Sequence, residues 1–320
     1  MNVSGQRVLV TGATGFVGAA VVERLAVDGR RVPIAGCRRN ALVPAGAELA
    51  VTASLGSEAD WSGALQGVGA VVHAAARVHV MDEDAADPLA EYRRANVEGT
   101  LALARQAAQA GVRRFVFVSS IKVNGERTSA GSAFSAADAP APVDPYGVSK
   151  AEAEAGLFAL GRETGMDIVV VRPPLVYGPG VGGNFARMMQ WVARGVPLPL
   201  GAVDNRRSLV GLDNLVDLLV TCLDHPAAAN RVFLAGDGED LSTTDLLRRV
   251  AAAMDRRARL VPVPPGLLRA GARAVGRGEM ARRLLDSLQV DISDTRETLG
   301  WEPPVSVDEG LRRAVVSLVG

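Results

Sequence analysis

The run Val8-Leu9-Val10-Thr11-Gly12-Ala13-Thr14-Gly15-Phe16-Val17-Gly18 constrains this chain most, because it reads as a strand, a glycine turn and the opening of a helix. The same rhythm continues downstream. Short β-rich apolar runs at 8–11, 31–35, 70–74, 114–119 and 168–172 alternate with helix-period segments such as 19–27 and 95–110. Strand, helix, strand repetition predicts the α/β class, with a doubly wound parallel sheet covered by helices on both faces.

Glycine in such a turn can take positive φ and lets the backbone approach a phosphate, while the helix start offers free N–H groups and a partial positive charge. Gly12, Gly15 and Gly18 divide those tasks in a Gly-x-x-Gly-x-x-Gly spacing, distinct from the Gly-x-Gly-x-x-Gly fingerprint. An NAD site of this kind carries an acidic residue about 20 residues on for the adenosine ribose. Here the second strand runs instead into Arg38-Arg39, whose guanidinium forks suit a 2′-phosphate. NADP(H) is therefore the favoured cofactor, with NAD(H) as the alternative.

After residue 172 prolines at 173, 174, 179, 197, 199, 262, 264 and 265 break the chain into shorter pieces. We expect a Rossmann-like dinucleotide-binding domain over 1–172 and a smaller substrate-binding lobe over 173–320, with chain excursions between them. Lys plus Arg number 35 against 35 Asp plus Glu, so no overall cationic field gathers nucleic acid. Cys37 and Cys222 are the only cysteines and sit in no metal-binding spacing, so neither a disulfide scaffold nor a metal site is expected. With no secretory-signal pattern and no apolar run approaching the ~18 to 20 residues of a membrane span, a cytoplasmic location is expected.

Tyr146-Gly147-Val148-Ser149-Lys150 places Tyr and Lys four apart, on one face of a helix. An ammonium beside a phenol favours phenolate, so this spacing predicts a tyrosine pKa drawn down from ~10 towards general acid and base work. Residues 115–118 form a buried strand ending in Ser119-Ser120, at the sheet edge where open α/β folds bind ligands.

Together with His73-Ala74-Ala75-Ala76, Asn96-Val97-Glu98-Gly99-Thr100 and Arg172-Pro173-Pro174-Leu175-Val176-Tyr177-Gly178-Pro179-Gly180, these motifs make the chain resemble the extended short-chain dehydrogenase/reductase superfamily. Within it the likeness is to the NAD(P)-dependent nucleotide-sugar epimerase/dehydratase branch, over nearly the whole length. The resemblance implies Tyr146 as proton donor or acceptor, Lys150 on the nicotinamide ribose, and Ser120 orienting the reacting oxygen. It implies cofactor contacts from Gly12, Thr14, Gly15, Phe16, Val17, Gly18, Arg38, Arg39, Ala74, Ala75, Ala76, Asn96, Ser119, Tyr146, Lys150 and Pro173. Asn184 and Arg207 would meet the sugar nucleotide, with Arg206 able to exchange roles with Arg207, and His79 could face the sugar. A UDP-sugar substrate and a homodimer, paired through helices around 95–110 and 150–160, also follow from the likeness.

Three reactions share this machinery. Dehydratases of the branch carry Asp-Glu after the strand-end hydroxyl, whereas Ser120 is followed here by Ile121-Lys122-Val123-Asn124. Arg38-Arg39 in place of the ribose acid, and Asn124 in place of a tyrosine common in epimerases, favour an exchanging NADPH. The run Ser119-Ser120-Ile121-Lys122-Val123-Asn124-Gly125 with Arg206-Arg207-Ser208-Leu209-Val210 most resembles bacterial 4-keto reductases of the UDP-N-acetylquinovosamine dehydrogenase type, and that resemblance implies reduction of a UDP-4-keto-6-deoxy-N-acetylhexosamine for surface polysaccharide synthesis. The alternative is UDP-glucose or UDP-N-acetylglucosamine 4-epimerisation; a catalytically silent NADP-binding scaffold ranks lower. The arginine cluster at 256–283 is read as a solvated helical face, with diphosphate contact or membrane docking as its alternatives.

Overall fold

A computed structural model describes residues 5–38, 41–52, 54–78, 87–129 and 131–319. Its main layer contains β1 (Gln6–Thr11), β2 (Arg31–Cys37), β3 (Glu48–Val51), β4 (Val68–His73), β5 (Arg114–Val118) and β6 (Asp167–Arg172). A second, three-stranded sheet follows from β7 (Leu175–Tyr177), β8 (Arg207–Gly211) and β10 (Asp240–Leu241), while β9 (Arg231–Leu234) returns to the first. The seven-stranded order is β3-β2-β1-β4-β5-β6-β9, with every pairing parallel. Strand order therefore reverses between β1 and β4, and the carboxyl ends of these two strands open the crevice where such sheets bind ligands.

The apolar runs are continuous because both faces are covered. On β1, Val8 and Val10 face one side and Leu9 the other; on β6, Val169 and Val171 oppose Ile168 and Val170. The first side packs against α1 (Phe16–Asp28) and α6 (Leu212–Asp224), through Val21, Val22, Leu25, Leu215 and Leu219. The second packs against α3 (Gly99–Gln109) and α4 (Pro145–Thr164), where Leu103, Ala107, Ala153 and Leu157 meet Phe115 and Phe117. Full burial of each such Leu, Val or Phe stabilises by roughly 1.5–3 kcal/mol. Cys37 and Cys222 are free and buried.

Chain beyond residue 172 thus returns to the first layer, through α6 and β9. The remainder builds a separate core around Tyr177, Met189, Leu209, Leu247 and Leu311, joining the small sheet to α5 (Gly183–Ala193), α7 (Thr243–Ala253) and α11 (Val307–Val319). Short helices α2 (Pro88–Tyr92), α8 (Pro265–Ala274), α9 (Gly278–Leu285) and α10 (Ser293–Leu299) complete the fold. One element differs from its periodicity. The helix expected at 95–110 begins as a π-helical turn, Arg93–Glu98, before α3. Such turns cluster at functional sites, and this one carries Asn96.

Candidate active site

At the β1–α1 turn each glycine has its own steric reason. Gly12 has φ +68°, and a Cβ there would lie 2.8 Å from Ala75 N. A Cβ on Gly18 would lie 2.2 Å from Gly12 O, so its absence lets α1 seat against the turn. Gly15 caps α1, and its N–H closes the turn on Gly12 O at 2.8 Å. The α1 N-terminus has no side-chain cap and no acidic residue in its first turn, leaving donors and partial positive charge facing the crevice. Thr14 is exposed beside it and Phe16 and Val17 are half-buried. This cradle fits a dinucleotide pyrophosphate.

The strand beside it locks the turn in place. His73 is fully buried, with Nδ1 2.6 Å from Thr11 Oγ1 and Nε2 2.9 Å from Thr100 Oγ1. Ala75 N–H donates to Thr11 Oγ1 at 3.3 Å, so we assign the Thr11 proton to Nδ1 and the ring proton to Nε2. Burial, with Lys150 nearby, pushes the His73 pKa down to about 3, so the ring is neutral. Ala74, Ala75 and Ala76 follow it, half-buried along the crevice.

The end of the crevice that carries Tyr146 and Lys150 is built by α4. Asp144 caps the helix by accepting from Gly147 N–H at 2.7 Å, and Pro145 fixes the first turn. Tyr146 and Lys150 follow on one face, with Lys150 Nζ 5.9 Å from the Tyr146 ring centroid. That amine donates to Val118 O at 2.9 Å and lies 4.4 Å from the Phe117 ring centroid. Lys150 is thereby tied to the end of β5, next to Ser119 and Ser120. Burial pushes its pKa down to about 7, against the pull of Glu154.

The expected lowering of the tyrosine pKa is not what this cleft does. Burial raises it, and Asp144 and Tyr92 add to the rise. Desolvation dominates here, and Lys150 Nζ is directed to a carbonyl rather than to the phenol.

Asn96 joins the π-helical turn to α4. Its Oδ1 accepts from Arg77 N–H at 2.8 Å, and its Nδ2 donates to Arg77 O at 3.0 Å and to Ser149 Oγ at 3.1 Å. Ser120, half-exposed, caps the short turn after β5 by accepting from Lys122 N–H at 3.2 Å. Ser119 is turned inward: its N–H donates to Val171 O at 2.8 Å and its hydroxyl to Glu154 at 2.5 Å. Pro173 is buried and accepts from Ile121 N–H at 2.9 Å, holding the chain after β6 against this turn.

Beyond β7, Asn184 is exposed in the first turn of α5. Of the two adjacent arginines Arg206 is exposed, whereas Arg207 is half-buried and donates to Asp286 O at 3.1 Å. Arg38 is exposed at the bend after β2; Arg39 and His79 lie outside the described residues.

Residues 8–236 match the model of the NAD dependent epimerase/dehydratase family. The chain belongs to this family. A UDP-glucose 4-epimerase of Vibrio cholerae is 46% identical over 307 residues, covering 96% of this chain and 93% of that protein. Among solved structures, a UDP-glucose 4-epimerase of Thermus thermophilus, in complex with NAD, aligns over 98% of this chain and 99% of its own at 25% identity and TM-score 0.78. The UDP-N-acetylglucosamine 4-epimerase of Bacillus cereus, 22% identical and aligned over 99% of this chain and 100% of its own, shares the fold at TM-score 0.80.

Membership in the epimerase/dehydratase family makes the chain an enzyme of nucleotide-sugar type, and the NAD of the Thermus structure gives no support to the NADP preference drawn from Arg38-Arg39. Two buried polar side chains have a part in this site that the sequence motifs do not assign: Glu154, which lies in none of them, and Arg172, which opens the run at 172–180. Glu154 and Arg172, each with a side chain only 4% exposed, pair at 2.5 Å beneath Lys150 and Ser119. Arg172 Nε also meets Glu154 at 3.0 Å, and its Nη1 donates to Asn124 Oδ1 at 2.9 Å. The i, i+4 step from Lys150 to Glu154 was the available signal. Asn124, buried, donates in turn to Ser135 O at 2.9 Å, so it belongs to this network.

Proposed function

We propose that this protein is a UDP-hexose 4-epimerase, acting on UDP-glucose or its 2-acetamido counterpart with NAD retained through the cycle. The observation carrying the choice over a 4-keto reductase is the likeness to the Vibrio cholerae UDP-glucose 4-epimerase along 96% of the chain. The reductase expectation drew on Arg38-Arg39, on Asn124 and on the resemblance of the runs at 119–125 and 206–210; of these, Arg38 is an exposed residue beyond β2 and Asn124 is buried in the Arg172 network.

Bound at the β1–α1 turn, NAD supplies a hydride acceptor and donor. Gly12, Gly15 and the α1 N-terminus hold its pyrophosphate, Ala74 to Ala76 and Pro173 line it, and Lys150 binds its ribose. The residue suited to exchange a proton with the C4 oxygen is Tyr146: once the phenol has given up its own proton, its phenolate takes the C4 hydroxyl proton as the hydride leaves C4, and the phenol so formed returns that proton when the hydride is delivered to the other face of the 4-keto sugar. Ser120 orients that oxygen. Positioning of sugar and cofactor inside a desolvated cleft supplies much of the rate. Asn184 and Arg207 meet the nucleotide diphosphate, and two copies pair through α3 and α4.

Incubating the purified protein with UDP-glucose or UDP-N-acetylglucosamine without added cofactor tests the proposal. The expected outcome is UDP-galactose or UDP-N-acetylgalactosamine by proton NMR. No interconversion, together with NADPH oxidation by a UDP-4-keto-6-deoxy sugar, would restore the reductase.

A further inference from the structure

The site leaves α8, α9 and the chain leading to them without a role. Residues 256–285 contain eight arginines against Glu279 alone, a net of +7 in a chain whose net charge is zero, so the remainder carries −7. Arg269 pairs with Asp286 at 2.7 Å, and Arg282 and Arg283 share Glu279 at 3.4 and 3.8 Å. Arg257, Arg259, Arg273 and Arg277 have no ion-pair partner among the described residues.

The apolar side chains of α8 do not all turn inward. Leu268 and Ala272 pack on the small cluster of Val203, Ala281 and Leu285. On the other side Leu267, Ala270 and Ala274 stand at i, i+3 and i+7, all exposed, Leu267 to 65%, with Val275 at 68% just past the helix end. A face meant only for water has no use for this stripe beside unpaired guanidinium groups.

Three occupants can be compared. A second copy docked symmetrically would set +7 against +7. Nucleic acid would engage the arginines and leave the apolar stripe in water. An anionic lipid surface answers both features, because the headgroups attract arginine while the acyl boundary takes up the apolar side chains. We propose that α8, α9 and the preceding loop dock this enzyme peripherally on an anionic phospholipid bilayer. With ten residues α8 lies on the surface and does not span it, a span needing about 20. The contact would set the substrate end of the cleft at the bilayer, since α9 runs directly into Asp286, whose carbonyl accepts from Arg207.

Sedimentation of the full-length protein with vesicles tests this, and because it reads binding rather than turnover it stands apart from the epimerase proposal. Binding is expected to vesicles containing phosphatidylglycerol, to weaken with added salt, and to be absent with phosphatidylcholine alone. Arg273→Gln with Arg277→Gln should weaken it by about 5-fold per arginine. The same charge loss at Arg24 and Arg312, on α1 and α11, should leave it unchanged, and Leu267→Ser should weaken it without altering the salt dependence. All five positions are exposed, so circular dichroism should match the parent. Failure to bind either vesicle, equal binding to both, or indifference to the Arg273/Arg277 change would overturn the proposal. It would equally be overturned if a single-stranded oligonucleotide displaced the protein from vesicles and bound through the same arginines, or if sedimentation equilibrium showed those arginines holding a dimer.

Discussion

The two ends of the cleft are made by opposite means. At the phosphate end the chain removes side chains: Gly12 and Gly18 bring backbone to within distances that a single Cβ would forbid. At the end that carries Tyr146 it buries charge: Lys150, Glu154 and Arg172 are all nearly inaccessible, and each hydrogen bond holding them spans the interior. The first end is fixed by shape and tolerates no addition. The second is fixed by compensation and tolerates no unbalanced removal.

The largest effect should come from the group proposed to exchange the proton. Tyr146→Phe keeps the ring on α4 and deletes the exchangeable proton, so we expect turnover to fall by about 10²–10⁴-fold. Substrate binding, read by calorimetry with the UDP-sugar, should change little. Full turnover in this variant would remove Tyr146 from the role proposed for it.

Next comes the compensated charge. Arg172→Met leaves Glu154 in an interior that is 4% exposed with its cation gone, which should destabilise the fold by about 3–5 kcal/mol in urea unfolding. Adding Glu154→Gln to it removes the uncompensated charge and should recover part of the loss. If the double variant is as unstable as the sum of both single ones, the two side chains do not act as a pair.

The shape-determined end should answer more modestly and differently. Gly18→Ala puts a methyl 2.2 Å from Gly12 O, forcing α1 away from the turn at a cost of about 1–3 kcal/mol. Because the displaced helix start is the proposed phosphate site, NAD co-purifying with the protein should be lost as well. A variant with parental thermal stability and NAD content would break the contrast between the two ends.

This contrast also explains what could be read from the sequence. The three glycines act within one turn, so their spacing was legible, and likewise Tyr146 and Lys150 on one helix face. The partners that give these residues their properties are distant in sequence: Lys150 meets Val118 across 32 residues and Asn96 meets Ser149 across 53. No local pattern reports such meetings. The tyrosine pKa shows the consequence, since a lysine four residues away is visible in the sequence while the desolvation that raises the pKa is not. The strands at 8–11 and 168–172 were legible because burial on both faces leaves continuous apolar runs. The edge strand β3, with three of four residues exposed, leaves no such trace.

His73 connects the two ends, and its titration offers the finest test of how tightly they are coupled. The ring is held by Thr11 from the phosphate turn, stacks at 5.8 Å on Phe117, and shares its surroundings with Lys150. Its pKa falls from the ordinary 6.5 to about 3 on folding. The unfolded chain therefore binds the additional proton between these values, and native stability, fully present above pH 6.5, declines as pH falls through that window. The slope is about 1.4 kcal/mol per pH unit, so acidification from pH 6.5 to 5 should remove about 2 kcal/mol before most carboxylates begin to titrate. His73→Gln abolishes the titrating group, and whatever its absolute stability, its unfolding free energy should vary less over the same interval. An unchanged slope would mean that protonation elsewhere controls acid sensitivity. A flattened one would mean that a single neutral imidazole joins the glycine turn to the charged floor.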